Sequence, residues 1–279
     1  MLGVLAPVIQ THDYQETNLS KTQHGPDSEN WLGTDRLGRD IYTRVVWGIQ
    51  TTVIITVTTF VTGSLFLGVT MGLVAGYFRG IIDVLIMRAG EVISAFPDIL
   101  LIILLAATLR PRIVEFARSI EDSTGLTGLV SSGVVDYVVI GIALLPLSWF
   151  GMMRLVRGQV LQGREMDYVL AARALGANDA RIILHHIVPN CFALFIILAT
   201  INLGYAILVE ASLSFLGIGV PPDVPSWGGM LAGVGIAEMQ SSWWLVVFPS
   251  LFLAAAVFGI NWLGDALRDV LDPRLRGTT

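Results

Sequence analysis

Cysteine occurs once, at Cys191, so the chain has no partner thiol for an intrachain disulfide and no cysteine cage for a metal. Lysine also occurs once, at Lys21, in the tripeptide Leu19-Ser20-Lys21. A phosphate-binding loop requires Gly-Lys-Ser/Thr, so the sequence offers no loop for hydrolysing ATP itself. Histidine is scarce too: His12, His24, His185 and His186. The last two are adjacent, about 100° apart on a helix, and do not chelate as an i, i+4 pair would. They read as interfacial polar residues, and Cys191 as a small packed one. With no metal set and no nucleophile cluster, an enzyme is not expected.

Charge is the other shortage. Charged residues make up 14% of the chain, against about 25% in soluble domains. The net charge of −5 argues against nucleic acid as a partner. In their place stand 54% hydrophobic residues and a mean hydropathy of +0.71. That much apolar side chain belongs in lipid, where helices satisfy their own backbone groups. The expected class is an all-α, polytopic integral membrane protein.

Residues 1–9 are apolar but short of the ~20 residues a span needs. They read as a truncated first span, joined to an external polar segment that runs to residue 47. Within that segment Gly33 and Gly38 mark turns and Asp40 caps the helix that follows. No charge occurs between Arg44 and Arg79, a gap of 34 residues, which holds a first complete span over roughly 51–77. Gly68, Gly72, Gly76 and Gly80 recur every fourth residue and form a flat face for close helix packing, preferred here over a sliding gate. A second span covers about 82–109. Arg88 and Glu91 pair on it, and Asp98 follows Pro97. An acid at that depth marks a translocation pathway, or else a structural ligand at a proline bend; both readings stay open. Glu210, at the end of a fourth span over about 183–209, is the second pathway candidate. Residues 110–136 read as a loop or surface helix, and about 137–153 as a third span with Pro146 inside it. A proline-rich loop covers 210–238. The last span covers about 243–263, with Trp227, Trp243 and Trp244 as an interface belt. That makes five complete spans. The domain division is 1–47, a permease domain over 48–266, and an amphipathic cytoplasmic tail over 267–279.

The stretch Asp167 to Pro189 is the longest polar-punctuated segment in this apolar chain. Strong helix formers, Leu170, Ala171, Ala172, Arg173, Ala174 and Leu175, lead to Gly176 at a C-cap position. Asn178 or Asp179 then caps a second helix expected to stop at Pro189. Arg154, Arg157, Arg164, Arg173 and Arg181 flank or occupy it, and the tail holds Arg268, Arg274 and Arg276, whereas the 210–238 loop has no basic residue. The arginine bias puts the hairpin (within 154–189) and the tail in the cytoplasm and the proline loop outside. Counting spans back, 10–47 and 110–136 also lie outside.

In chain order, WLGTDRLGRDIYTR, AFPDILL, DYVLAARALGAND with HHIVPN, EASLSFLGIGVPPDVPSWGGML and NWLGDALRDVLDPRLR resemble the C-type permease subunit of peptide/nickel ABC importers, binding-protein-dependent transporters with an EAA loop. The resemblance covers nearly all of the chain from residue 31. It implies the type I ABC importer permease fold and a cell (inner) membrane location. It also implies that the EAA-type loop docks on an ATPase subunit through Asp167, Val169, Leu170, Ala171, Ala172, Arg173, Leu175, Gly176 and Pro189. Leu170 stands where the family has a glutamate, and 110–136 is longer than the family's loop. The implied partners are a second permease subunit, one or two ATPase subunits and an extracytoplasmic substrate-binding protein. The chain itself would bind no cofactor; ATP and magnesium would sit in the ATPase. Each permease would line half of a pathway for di- or oligopeptides, nickel or related small solutes. The rival class, a secondary transporter or channel without an ATPase, requires ionisable residues in several spans, and only Asp98 and, marginally, Glu91 qualify.

Overall fold

The computed structural model describes residues 6–125, 128, 130 and 134–271; Arg274 and Arg276, and the side chains of Cys191 and Arg268, lie outside the described residues. Twelve α-helices follow one another among them: α1 Ala6–Ile9, α2 Ile41–Thr59, α3 Thr70–Phe78, α4 Gly80–Ser94, α5 Asp98–Thr124, α6 Val134–Gly163, α7 Asp167–Ala174, α8 Asp179–Ile182, α9 Val188–Phe215, α10 Trp227–Leu231, α11 Ile236–Ser241 and α12 Trp244–Leu271. The described residues include no named strand, only an isolated bridge between Thr34 and Asp40.

Local sequence explains most of the boundaries. Asp40 caps α2, its Oδ2 accepting the Thr43 N–H at 2.8 Å while Asn30 Nδ2 donates to Oδ1 at 3.0 Å. A π-helical stretch, Phe60–Val69, joins α2 to α3 in one 38-residue apolar run, Ile41–Phe78. Arg79 and Gly80 then take left-handed φ of 57° and 61°, which ends α3. The second span is not the single helix expected over 82–109: α4 and α5 meet at a 90° bend. Pro97 lacks an N–H and disfavours helical backbone at Phe96, so the chain breaks there. Helix α5 carries on through Arg110 to Thr124, with Pro111 inside it, so of the two readings of 110–136 the surface helix holds over that stretch. Four described helices are long and apolar enough to cross a membrane, or five if the bent pair counts as one span.

The chain groups into two compact units. The first comprises Met1–Val57, Ile103–Ala143 and Tyr205–Phe258. Its core gathers Ile41, Val45, Trp227, Trp244 and Leu245. Trp227 Nε1 donates to the Val45 carbonyl at 3.0 Å and Trp244 Nε1 to the Thr34 carbonyl at 3.2 Å. The expected tryptophan belt is corrected here: Trp227 and Trp244 are buried with satisfied indoles, and of the three only Trp243 is exposed. The proline loop is therefore built into this core rather than hung from it.

The second unit comprises Thr58–Ile102, Leu144–Gly204 and Gly259–Thr279. Leu73 and Tyr77 pack with Met152, Val156 and Val160 of α6 and with Val169, Ile182, Ile187 and Phe195. Glycine lets the backbones meet. A Cβ placed on Gly68, Gly72 or Gly76 would fall 2.8, 2.7 and 2.8 Å from the Cβ of Met152, Val156 and Val160 respectively. Gly80 departs from the expected stripe: nothing lies within 4 Å of its Cβ position, because the helix has already turned. The register rises in steps of four on both partners, so α3 and α6 run parallel.

Candidate coupling site

The expected hairpin forms almost as its sequence dictates. Helix α7 has Asp167 in its first turn and Arg173 in its last, both favourable to the helix dipole. Its end is a Schellman motif. Gly176, at φ 85°, donates to the Arg173 carbonyl at 3.0 Å, and Ala177 donates to the Ala172 carbonyl at 3.0 Å. Asn178 Oδ1 then accepts the Arg181 N–H at 2.8 Å and starts α8. The second helix does not stop at Pro189, as expected. A π-helical turn, Ile183–Ile187, carries α8 into α9, and Pro189 occupies the first turn of α9. The π turn accommodates the proline: Val188 N–H reaches back five residues to the Ile183 carbonyl, and this wider turn opens the helix where Pro189 supplies no N–H.

Eight residues make a marginal helix in water, so α7 depends on what it packs against. Val169 is fully buried in the cluster with Ile182 and Ile187, and Ala172 lies partly buried against it. Leu170 is 51% exposed and Leu175 89% exposed. The expected docking face thus divides: Val169 and Ala172 hold the helix down, and Leu170 and Leu175 face away with Asp167 and Ala171.

Sequence reasoning missed the polar centre beneath the hairpin. Tyr77, 4% exposed, donates from Oη to Asp179 Oδ1 at 2.5 Å and accepts from Arg173 Nη2 at 3.1 Å. That bond raises the Arg173 guanidinium above its ordinary pKa. Arg164 donates to the Tyr77 carbonyl. The guanidinium carbons of Arg164 and Arg173 lie 5.7 and 5.8 Å from the Tyr77 ring centre, within cation–π range. Close by, Arg157 grips Asp83 with two bonds of 2.5 and 2.6 Å. The sole sequence hint is a tyrosine near the end of a charge-free run, two residues before Arg79.

The two pathway candidates have different surroundings. Asp98 is exposed in the first turn of α5, at the bend. Glu210 is 1% exposed, accepting from Thr52 Oγ1 at 3.2 Å and from Ser214 Oγ at 2.8 Å. The described residues hold no cluster of three metal-ligating side chains. In the first unit, a cavity of about 330 Å³ is lined by Arg36, Arg39 and Arg44, but Arg39 pairs with Asp35 at 2.7 Å and Arg36 with Glu238.

Apolar spans joined to a capped helical hairpin with one buried and one exposed face define a multi-pass membrane protein. Residues 68–277 match the family described as binding-protein-dependent transport system inner membrane component, and the chain belongs to it. The dipeptide transport system permease protein DppC of Alkalihalophilus pseudofirmus is 40% identical over 276 residues, 99% of this chain and 82% of that protein. The oligopeptide transport system permease protein OppC of Bacillus subtilis is 37% identical over the same shares. The glutathione transport system permease protein GsiD of Pectobacterium atrosepticum is 36% identical over 264 residues, 95% of this chain and 77% of that protein. The chain is thus a permease subunit of a transport system and not an enzyme, which sets aside the secondary-transporter alternative.

Proposed function

We propose that the chain lines half of the translocation pathway of an ATP-driven peptide importer in the cell membrane. The second half would come from another permease subunit, and ATP and magnesium would act in a separate ATPase. A substrate-binding protein would deliver di- or oligopeptides from outside. The substrate class is supported by the dipeptide, oligopeptide and glutathione permeases among the relatives. One observation carries the coupling role: α7 buries Val169 and presents Leu170 outward, with Leu175 exposed at its C-cap. This is how a helix is presented to a partner's groove. Leucine at 170, where the family resemblance implies a glutamate, makes that contact apolar. The parallel run of α3 and α6 supports an orientation in which the segments before both helices lie on one side and the hairpin on the other.

The test is reconstitution of the chain with a co-encoded ATPase, second permease and binding protein. ATP-dependent uptake of labelled dipeptides into vesicles is the expected result. External labelling of a cysteine placed at Ala174, or the absence of any co-purifying ATPase, overturns the reading.

A further inference from the structure

We propose that Tyr77 is the positioning residue through which movement of α7 reaches the Ile41–Phe78 span directly, beside the covalent route through α8 into α9. The proposal rests on the coupling role of α7. Three chain segments converge on this one side chain and its backbone. Helix α7 reaches it through Arg173, α8 through Asp179, and the segment after α6 through Arg164. Tyr77 is itself fixed: it is buried among Leu73, Val160, Val169 and Ile182, on the last turn of α3. Arg173 is exposed at its own end, so it moves with α7 while its guanidinium stays bonded to Tyr77. Displacing α7 therefore pulls on the last turn of α3 through the Arg173–Tyr77 bond. Helix α3 is tied in turn to α6 by the close contacts of Gly72 and Gly76. Hence a push on the hairpin turns two parallel spans together, and an interaction that differs between the two positions of α7 is what shifts such an equilibrium.

The experiment is the Tyr77→Phe variant in the reconstituted importer, read as peptide transported per ATP hydrolysed. The phenyl ring keeps the packing and the cation–π contacts and removes only the hydroxyl. The expected result is an assembled complex that still hydrolyses ATP while the ratio falls about fivefold or more. A residue with a merely structural part lowers assembly, or hydrolysis and transport together, and leaves the ratio unmoved. Arg173→Gln guards against misfolding of the buried variant, since it removes the same bond from the exposed side and is expected to lower the ratio as well. An unchanged ratio in either assembled variant overturns the role of Tyr77 and leaves the coupling reading standing. Failure of the wild-type chain to retain any ATPase removes both.

Discussion

Gly72 and Val156 sit so close that a Cβ on the glycine would fall 2.7 Å from the Cβ of the valine and 2.8 Å from the Met153 carbonyl oxygen. Real side chains do not tolerate this, so the backbones of α3 and α6 touch only because position 72 has no side chain. Packing of this kind replaces the hydrophobic effect, which lipid does not supply between helices. Gly72→Ala is expected to destabilise the folded chain by about 1–3 kcal/mol, the usual cost of overpacking. Gly158→Ala is the control: nothing lies within 4 Å of its Cβ position, and the helix gains up to about 1 kcal/mol in propensity. Thermal unfolding in detergent separates the two, and equal shifts would contradict the packing role.

The glycine stripe and the hairpin were legible in the sequence because both depend on local rules. Period-four glycines define a face, and Gly176 with Asn178 spells a helix end and a helix start within three residues. The errors arose where tertiary context decides. Gly80 continues the period, but the helix has ended at Phe78, so the residue serves a turn. Pro189 looked like a terminator because a π turn, which has no sequence signature, lets α9 begin just before it. Trp227 and Trp244 looked interfacial, yet each indole found a buried carbonyl at long sequence separation. Tyr77 and its arginines are nearly a hundred residues apart, beyond any periodicity argument.

Glu238 carries a pH prediction. Arg36 binds its carboxylate, with a 2.6 Å bond from Nε, and Gly235 N donates to it at 3.0 Å. The Arg36 bonds lower its pKa from 4.5 to about 2. A carboxylate with a depressed pKa stabilises the contact fully above its ordinary value, and that contribution is lost as pH falls through the folded-state value. The stability contributed by the tether of α11 to Gln23 and Arg36 is therefore expected to be intact at pH 5 and to be lost between 4.5 and 2, the contact itself titrating near 2. Carboxyl carbon NMR on labelled glutamate would show one resonance titrating near 2, absent in Glu238→Gln. A midpoint near 4.5 would refute the tether.

Glu210 is expected to be a structural anchor of the first unit rather than a pathway residue. Its two oxygens take up the hydroxyls of Thr52 and Ser214. Glu210→Leu would strand both hydroxyls in a buried site, a cost of about 1–3 kcal/mol. Glu210→Gln keeps an acceptor, and the remaining hydroxyl can rotate to meet the amide. Unfolding temperature should drop for the leucine variant and hold for the glutamine variant, with uptake retained in the latter. Lost uptake by Glu210→Gln at unchanged stability would restore the pathway reading.

The outward leucines of α7 give the sharpest separation of folding from partnership. Leu170 on the helix and Leu175 at its C-cap are 51% and 89% exposed, whereas Val169 is fully buried. Surface substitutions usually change stability by no more than about 0.5 kcal/mol, so Leu170→Asp and Leu175→Asp should leave the isolated chain as stable as wild type. Burying a carboxylate against an apolar groove without a partner is costly, so both variants should lose the ATPase on co-purification. Val169→Asp should do the reverse in order of cause, unfolding the hairpin first because the charge enters the cluster with Ile182 and Ile187. Unfolding curves and pull-downs on the three variants decide the matter. If the leucine variants keep their ATPase, the exposed face is not the docking face, since no other property of these two positions would account for wild-type binding with a charge in the contact.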